Sequence, residues 1–110
     1  MSKFDEHKRD SVYISGPMTG FEDYNKKGFY DTEKKLRARG FVSIINPVHI
    51  GEMFGYDKSH TFYMRKSISK MMDADVVYVF GDYKRSKGVK LEVEIAHLLD
   101  IPVFYEEYND

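Results

Sequence analysis

Three stretches of this 110-residue chain combine residue types able to hold an anion or handle a proton: Gly16-Pro17-Met18-Thr19-Gly20, Ser86-Lys87-Gly88, and Glu92 one helical turn further on. A carboxylate in the first turns of a helix is favoured by the helix dipole, and partial burial makes it a better proton acceptor or nucleophile. Helical spacing puts Glu92 on a line with Ala96 and Leu99, facing inward or toward a crevice, and Glu94 on the outward line of Lys90 and His97. Ser86-Lys87-Gly88 stands just before the same helix, where unpaired backbone N–H groups hold anions and Ser86 adds a hydroxyl. The glycine-bearing turn at residues 16–20 lets a phosphate or sugar approach the backbone closely. Each stretch also has a plain structural use: Glu92 as a helix-stabilising acid, Ser86 as an N-cap, residues 16–20 as a tight turn.

Two further features carry weaker signals. Ser67 shares a stripe with Met64 and Met71, so its hydroxyl faces the sheet or crevice, although serines so placed commonly bond back to a helix carbonyl. Lys84, Arg85 and Lys87 form a basic cluster beside the anion-holding turn, suited to phosphate contact or to a solvated loop. The four histidines, His7, His49, His60 and His97, lack metal-ligand spacing, and no acidic run matches a calcium loop, so neither a metal nor another cofactor is expected.

The elements that must position these residues alternate between strand and helix. Ser11 to Ser15 reads as a first strand stopped by Gly16-Pro17. A helix over 25–39, with Phe29, Thr32 and Leu36 on one face, ends at Gly40, and a second strand spans 41–45 before Asn46-Pro47. Residues 48–59 read as a loop or short irregular helix forming a lid or pocket wall. An amphipathic helix over 61–73 carries Met64, Ile68 and Met71, and the continuous apolar run 75–80 is a strand covered on both faces. A helix over 88–100 carries Leu91, Ile95 and Leu98, and 102–105 forms the last strand. This alternation predicts an α/β three-layer sandwich with a mostly parallel four-stranded sheet in order 2-1-3-4. In such sheets the ligand crevice lies beyond the carboxyl ends of the strands, where the order switches, and both loops fall there.

Composition narrows the functional classes. With 17 basic and 18 acidic side chains the formal charge is −1, which gives no electrostatic case for nucleic acid polymers or membranes as partners. The absence of cysteine removes disulfides, thiolate metal sites and a cysteine nucleophile. The charged start, residues 1–10, is expected to be a flexible terminus preceding a single domain over 11–110. It lacks the apolar stretch of a signal peptide, and a cytoplasmic location is expected.

Taken together, Tyr13-Ile14-Ser15-Gly16-Pro17-Met18-Thr19-Gly20, Ala74-Asp75-Val76-Val77, Ser86-x-Gly88-x-x-x-Glu92-x-x-x-Ala96 and Pro102-Val103 resemble the nucleoside 2-deoxyribosyltransferase superfamily, particularly its short bacterial and phage members. The resemblance spans about residues 12 to 105 and implies a flavodoxin-like fold and cleavage of an N-glycosidic bond. It also implies that Glu92 attacks the anomeric carbon, that Tyr13 positions Glu92, and that residues 16–20 with Ser86 and Gly88 bind substrate. A serine at position 86 is similar to the branch acting on nucleoside 5′-monophosphates. The family places an Asp where this chain has Ser67, and its monophosphate hydrolases place an arginine where it has Thr19. The chain also stops at Asp110, short of the C-terminal residue that transferases lend to a neighbouring subunit.

Two functions follow as expectations. One is a nucleotide N-glycosidase or deoxyribosyltransferase using Glu92, Tyr13 and Ser67 at the reacting centre. The other is a catalytically silent module that binds or sequesters a nucleotide, motivated by the serine at 67. The resemblance further implies a homodimer or higher homo-oligomer whose ligand is a small nucleoside or nucleotide.

Overall fold

The computed structural model describes residues 2–18 and 20–110, so Thr19 lies outside the described residues. Four parallel strands form one sheet in the order β2-β1-β3-β4: β1 Ser11–Ser15, β2 Ser43–Ile45, β3 Val76–Val79 and β4 Val103–Tyr105. The expected α/β flavodoxin-like architecture and strand order are therefore present. Register sets Tyr13 beside Val77 and Ser15 beside Val79. Because side chains alternate across a strand, Tyr13 and Ser15 share one face of the sheet and Val12 and Ile14 the other.

Each face carries its own helices. Phe29 and Leu36 of α1 (Lys26–Ala38) pack on Val12, Ile14, Val76, Tyr78 and Phe80. On the opposite face, Met71 of α3 (His60–Met71) and Val89 and Ala96 of α4 (Lys87–Leu98) pack on Tyr13, Val77 and Val79. Residues 48–59 divide into α2 (Val48–Phe54) and a following loop. Asn46 fixes the start of α2: its buried amide donates to Phe29 O at 3.2 Å, and its oxygen accepts from Val48 N at 3.1 Å.

Three expectations are corrected. Residues 1–10 are not loose throughout: Lys3–His7 form a 3-10 turn, and Phe4, 0% exposed, stacks on Phe41 at 4.4 Å and on Tyr78 at 4.8 Å. Aromatic pairs of this kind contribute about 0.5–1.5 kcal/mol each beyond burial, and they add to the burial of the Phe4 ring in anchoring the charged segment. Second, Phe41 and Val42 precede β2, because Val42 N donates to Lys8 O of that N-terminal segment at 3.1 Å. Third, α4 buries the face of Val89, Glu92 and Ala96, whereas Leu91 and Leu98 are 42% and 76% exposed. At about 100° per residue, Leu98 lies nearly opposite Ala96 around the helix.

The chain's last helix, α5 (Glu106–Asn109), has no counterpart in the sequence pattern. It is held by charges: Lys35 pairs with Glu106 at 2.6 Å and with Asp110, and Arg39 bridges Asp5 and Asp110 at 2.9 Å each. This network joins the N-terminal turn, α1 and α5 along one side of the molecule.

Candidate active site

The site forms where β1 ends and α4 begins. Ser86 caps α4 by accepting from Val89 N at 3.2 Å, which fixes the helix start beside the sheet. One turn later Glu92 enters the α4–sheet interface, 5% exposed, although carboxylates are seldom so buried without partners. Its partners come from β1. Tyr13 Oη donates to Glu92 Oε2, and Ser15 Oγ donates to Glu92 Oε1 at 3.0 Å. The two-residue strand period places both hydroxyls on the face that receives α4.

Burial pushes the Glu92 carboxyl up from 4.5 to about 7, while the hydrogen bonds from Tyr13 and Ser15 hold it down from going further. Burial also holds the Tyr13 phenol well above its ordinary range, reinforced by the charge and hydrogen bond of Glu92, with the Ser67 hydroxyl acting in the opposite sense. The phenol is therefore a fixed proton donor to Glu92, and Glu92 changes charge near neutrality. A carboxylate poised in this way suits nucleophilic or general-base chemistry.

Glu92 opens onto a cleft of about 260 Å³, just under the usual size of small-molecule pockets. Tyr13, Ser67, Ser86, Gly88, Gly16 and Met18 line it, so the cleft brings together seven of the residues singled out from the sequence. Pro17 and Gly20 do not line it. The Pro17 ring sits against Gly81 and its carbonyl accepts from Asn25 Nδ2 at 2.8 Å, while Gly20 is exposed, with nothing within 4 Å of where a Cβ would stand. Gly16 has a packing reason as well, since a Cβ there would lie 2.1 Å from the Phe80 ring. At Gly88 a Cβ would stand 3.2 Å from Met64 Sδ.

The exposed basic cluster of Lys84, Arg85 and Lys87 does not line the cleft, whereas Lys58 and His60 do. The sequence reading missed these two, along with Ser15, Tyr24 and Tyr63. Ser15 was accessible through its alternation with Tyr13; the others stand on loops or helix starts whose folding back over the sheet leaves no periodic trace.

A smaller apolar annex of about 40 Å³ adjoins the cleft and shares Met18, Tyr24, Tyr63 and Ser67 with it. Tyr24 reaches it from a turn in which Asp23, Tyr24 and Asn25 all have left-handed φ, of 49°, 54° and 63°. Consecutive non-glycine residues in this region are costly and concentrate at functional positions. The Tyr24 ring lies nearly parallel to Tyr56, 5.8 Å away, and Tyr24 Oη donates to Tyr56 O at 3.1 Å. Among the described residues, no group of three His, Cys, Asp or Glu is arranged to hold a metal, and no helix is long and apolar enough to cross a membrane.

Among solved structures the fold is similar to the 2-deoxyribosyltransferase of the psychrotolerant bacterium Bacillus psychrosaccharolyticus. The TM-score is 0.62 at 21% identity, covering 86% of this chain and 70% of that one. Comparison with curated proteins yields no match. A family profile matches residues 10–105, and on that span the chain belongs to DUF4406, a family described as a domain of unknown function.

Proposed function

We propose that the protein cleaves or transfers the N-glycosidic bond of a nucleoside or deoxynucleoside 5′-monophosphate through a covalent glycosyl-Glu92 intermediate. The observation that carries this reading is a buried carboxylate, held by Tyr13 and Ser15, at the floor of a cleft entered beside a helix N-terminus, where burial pushes its pKa up toward neutrality. The fold it shares with a 2-deoxyribosyltransferase supports the same chemistry.

In the first step Glu92 Oε forms a bond to C1′ as the C1′–N bond breaks, and the electron pair leaves with the base, which takes a proton from water. In the second step a water molecule, or a second base, attacks C1′ and releases the carboxylate, and the proton that the nucleophile loses neutralises the hydroxide left by the first step. Hydrolysis thus consumes one water and yields sugar phosphate and free base. Tyr13 positions the carboxylate and Ser15 holds its other oxygen, so attack begins from one orientation. The oxocarbenium character of the transition state is offset by the Glu92 charge. Backbone N–H groups at the start of α4, with Ser86, face the phosphate side, and the Tyr24 and Tyr63 rings border the base side.

The serine at 67 favours a second reading, in which the cleft binds a nucleotide without turning it over, because a serine hydroxyl is a poor acid for a departing base. The two readings separate by incubating the protein with a panel of deoxynucleosides and their monophosphates and measuring released base by chromatography. Release that disappears in Glu92→Ala supports the enzyme. Binding without release above that control supports the silent module.

The assembly proposed with this function is a homo-oligomer. Leu91 and Leu98 stand exposed on the outer side of α4, the helix that carries Glu92, and a second copy of the chain is the partner that would cover them.

A further inference from the structure

We propose that Lys58 and His60 form the wall that takes the substrate's phosphate monoester, Lys58 by its charge and His60 as a hydrogen-bond donor, and so make the cleft selective for a 5′-monophosphate over the free nucleoside. This deepens the reading of the cleft as a nucleoside site and rests on it.

Charge placement within the cleft motivates the assignment. Of the ionisable side chains lining it, Lys58 and His60 are the basic ones and Glu92 the acidic one, and Glu92 is occupied at the floor by Tyr13 and Ser15. A phosphate dianion is repelled by that carboxylate and drawn to the wall bearing the Lys58 ammonium, where the His60 ring adds an N–H donor. Ser86 and Gly88 line the same cleft, so the α4 N-terminus contributes in the same direction.

The position of Lys58 is built rather than incidental. Its backbone N donates to Tyr63 Oη at 3.0 Å, and that hydroxyl donates to Gly55 O at 2.5 Å, which pins the 55–58 loop onto the first turns of α3. Ser59 then caps α3 by accepting from Phe62 N at 3.1 Å, setting His60 at the first position of the helix. The Lys58 ammonium has one nearby carboxylate, an exposed Asp57 at 3.9 Å, a separation at which surface ion pairs contribute little and yield readily to a ligand. Lysine binds phosphate as a point charge and needs no bidentate geometry, so a rim position is adequate.

Calorimetric titration of the full chain tests this, in a Glu92→Gln background that removes the nucleophile. The ligands are a deoxynucleoside and its 5′-monophosphate, and each is titrated into the Lys58 and His60 forms, Lys58→Gln, His60→Gln, their combination, and Lys58→Arg. The expected result is tighter binding of the monophosphate, weakened about tenfold by each Gln substitution and more by both. Nucleoside affinity should stay within about twofold and Lys58→Arg should keep the preference. A monophosphate advantage that persists in the double variant overturns the assignment to Lys58 and His60 alone, whereas one absent at the outset while the nucleoside binds overturns the monophosphate substrate proposed above together with this assignment. Binding of neither ligand overturns the nucleoside reading and this assignment with it.

Discussion

Tyr13 on β1 and Glu92 on α4 stand 79 positions apart in the chain and meet through a buried phenol-to-carboxylate hydrogen bond. Since that bond lowers the Glu92 pKa against burial, its removal raises it. In Tyr13→Phe the acid limb of the base-release pH profile should move from near 7 to higher pH by about one unit, equivalent to ~1.4 kcal/mol of lost anion stabilisation. A midpoint that stays put or moves to lower pH contradicts a positioning role for Tyr13.

The same burial makes Glu92 a liability to the fold at alkaline pH. Its folded pKa lies above the unfolded value, so its contribution is fully present below about 4.5 and is lost as pH rises through about 7. At ~1.4 kcal/mol per unit the shift corresponds to about 3 kcal/mol. Urea denaturation at pH 5 and pH 8 should therefore show Glu92→Gln gaining stability relative to the unsubstituted chain as pH rises. A difference that does not change with pH contradicts the raised pKa.

Gly16 is set by packing under the cleft as much as by any ligand. A methyl group there meets the Phe80 ring at 2.1 Å, and overpacking of this kind costs about 1–3 kcal/mol. Gly16→Ala should lower the denaturation midpoint, and Phe80→Leu should restore part of it in the double variant. Gly88→Ala should be milder, because its neighbour is the flexible Met64 thioether.

The exposed leucines of α4 predict self-association. Light scattering at micromolar concentration should report a dimer or larger species, and Leu91→Lys with Leu98→Lys should give a monomer of unchanged fold by circular dichroism. A monomer before substitution contradicts the assembly.

The sheet order was readable because the apolar run ending at Phe80 and the glycine and proline stops follow local rules. The inward direction of Glu92 was readable for the same reason, since helical period alone relates it to Ala96. The leucine stripe misled, because a helix with apolar residues on two sides does not disclose which side meets the sheet. Val89 and Ala96 won the buried face, where small side chains allow close approach to β3, and the leucines were left outside. Phe4 was hidden among charges, with its partners Phe41 and Tyr78 supplied only by the tertiary fold. Lys58 and His60 depend on the Tyr63 hydroxyl pinning a loop, a relation without sequence periodicity.

The covalent step is the central claim, and peptide mass mapping of the chain quenched during turnover of a deoxynucleoside 5′-monophosphate addresses it directly. The predicted result is a deoxyribosyl-phosphate increment on the peptide containing Glu92, absent from Glu92→Gln. Base release without that increment, continuing unchanged in Glu92→Gln, would contradict it.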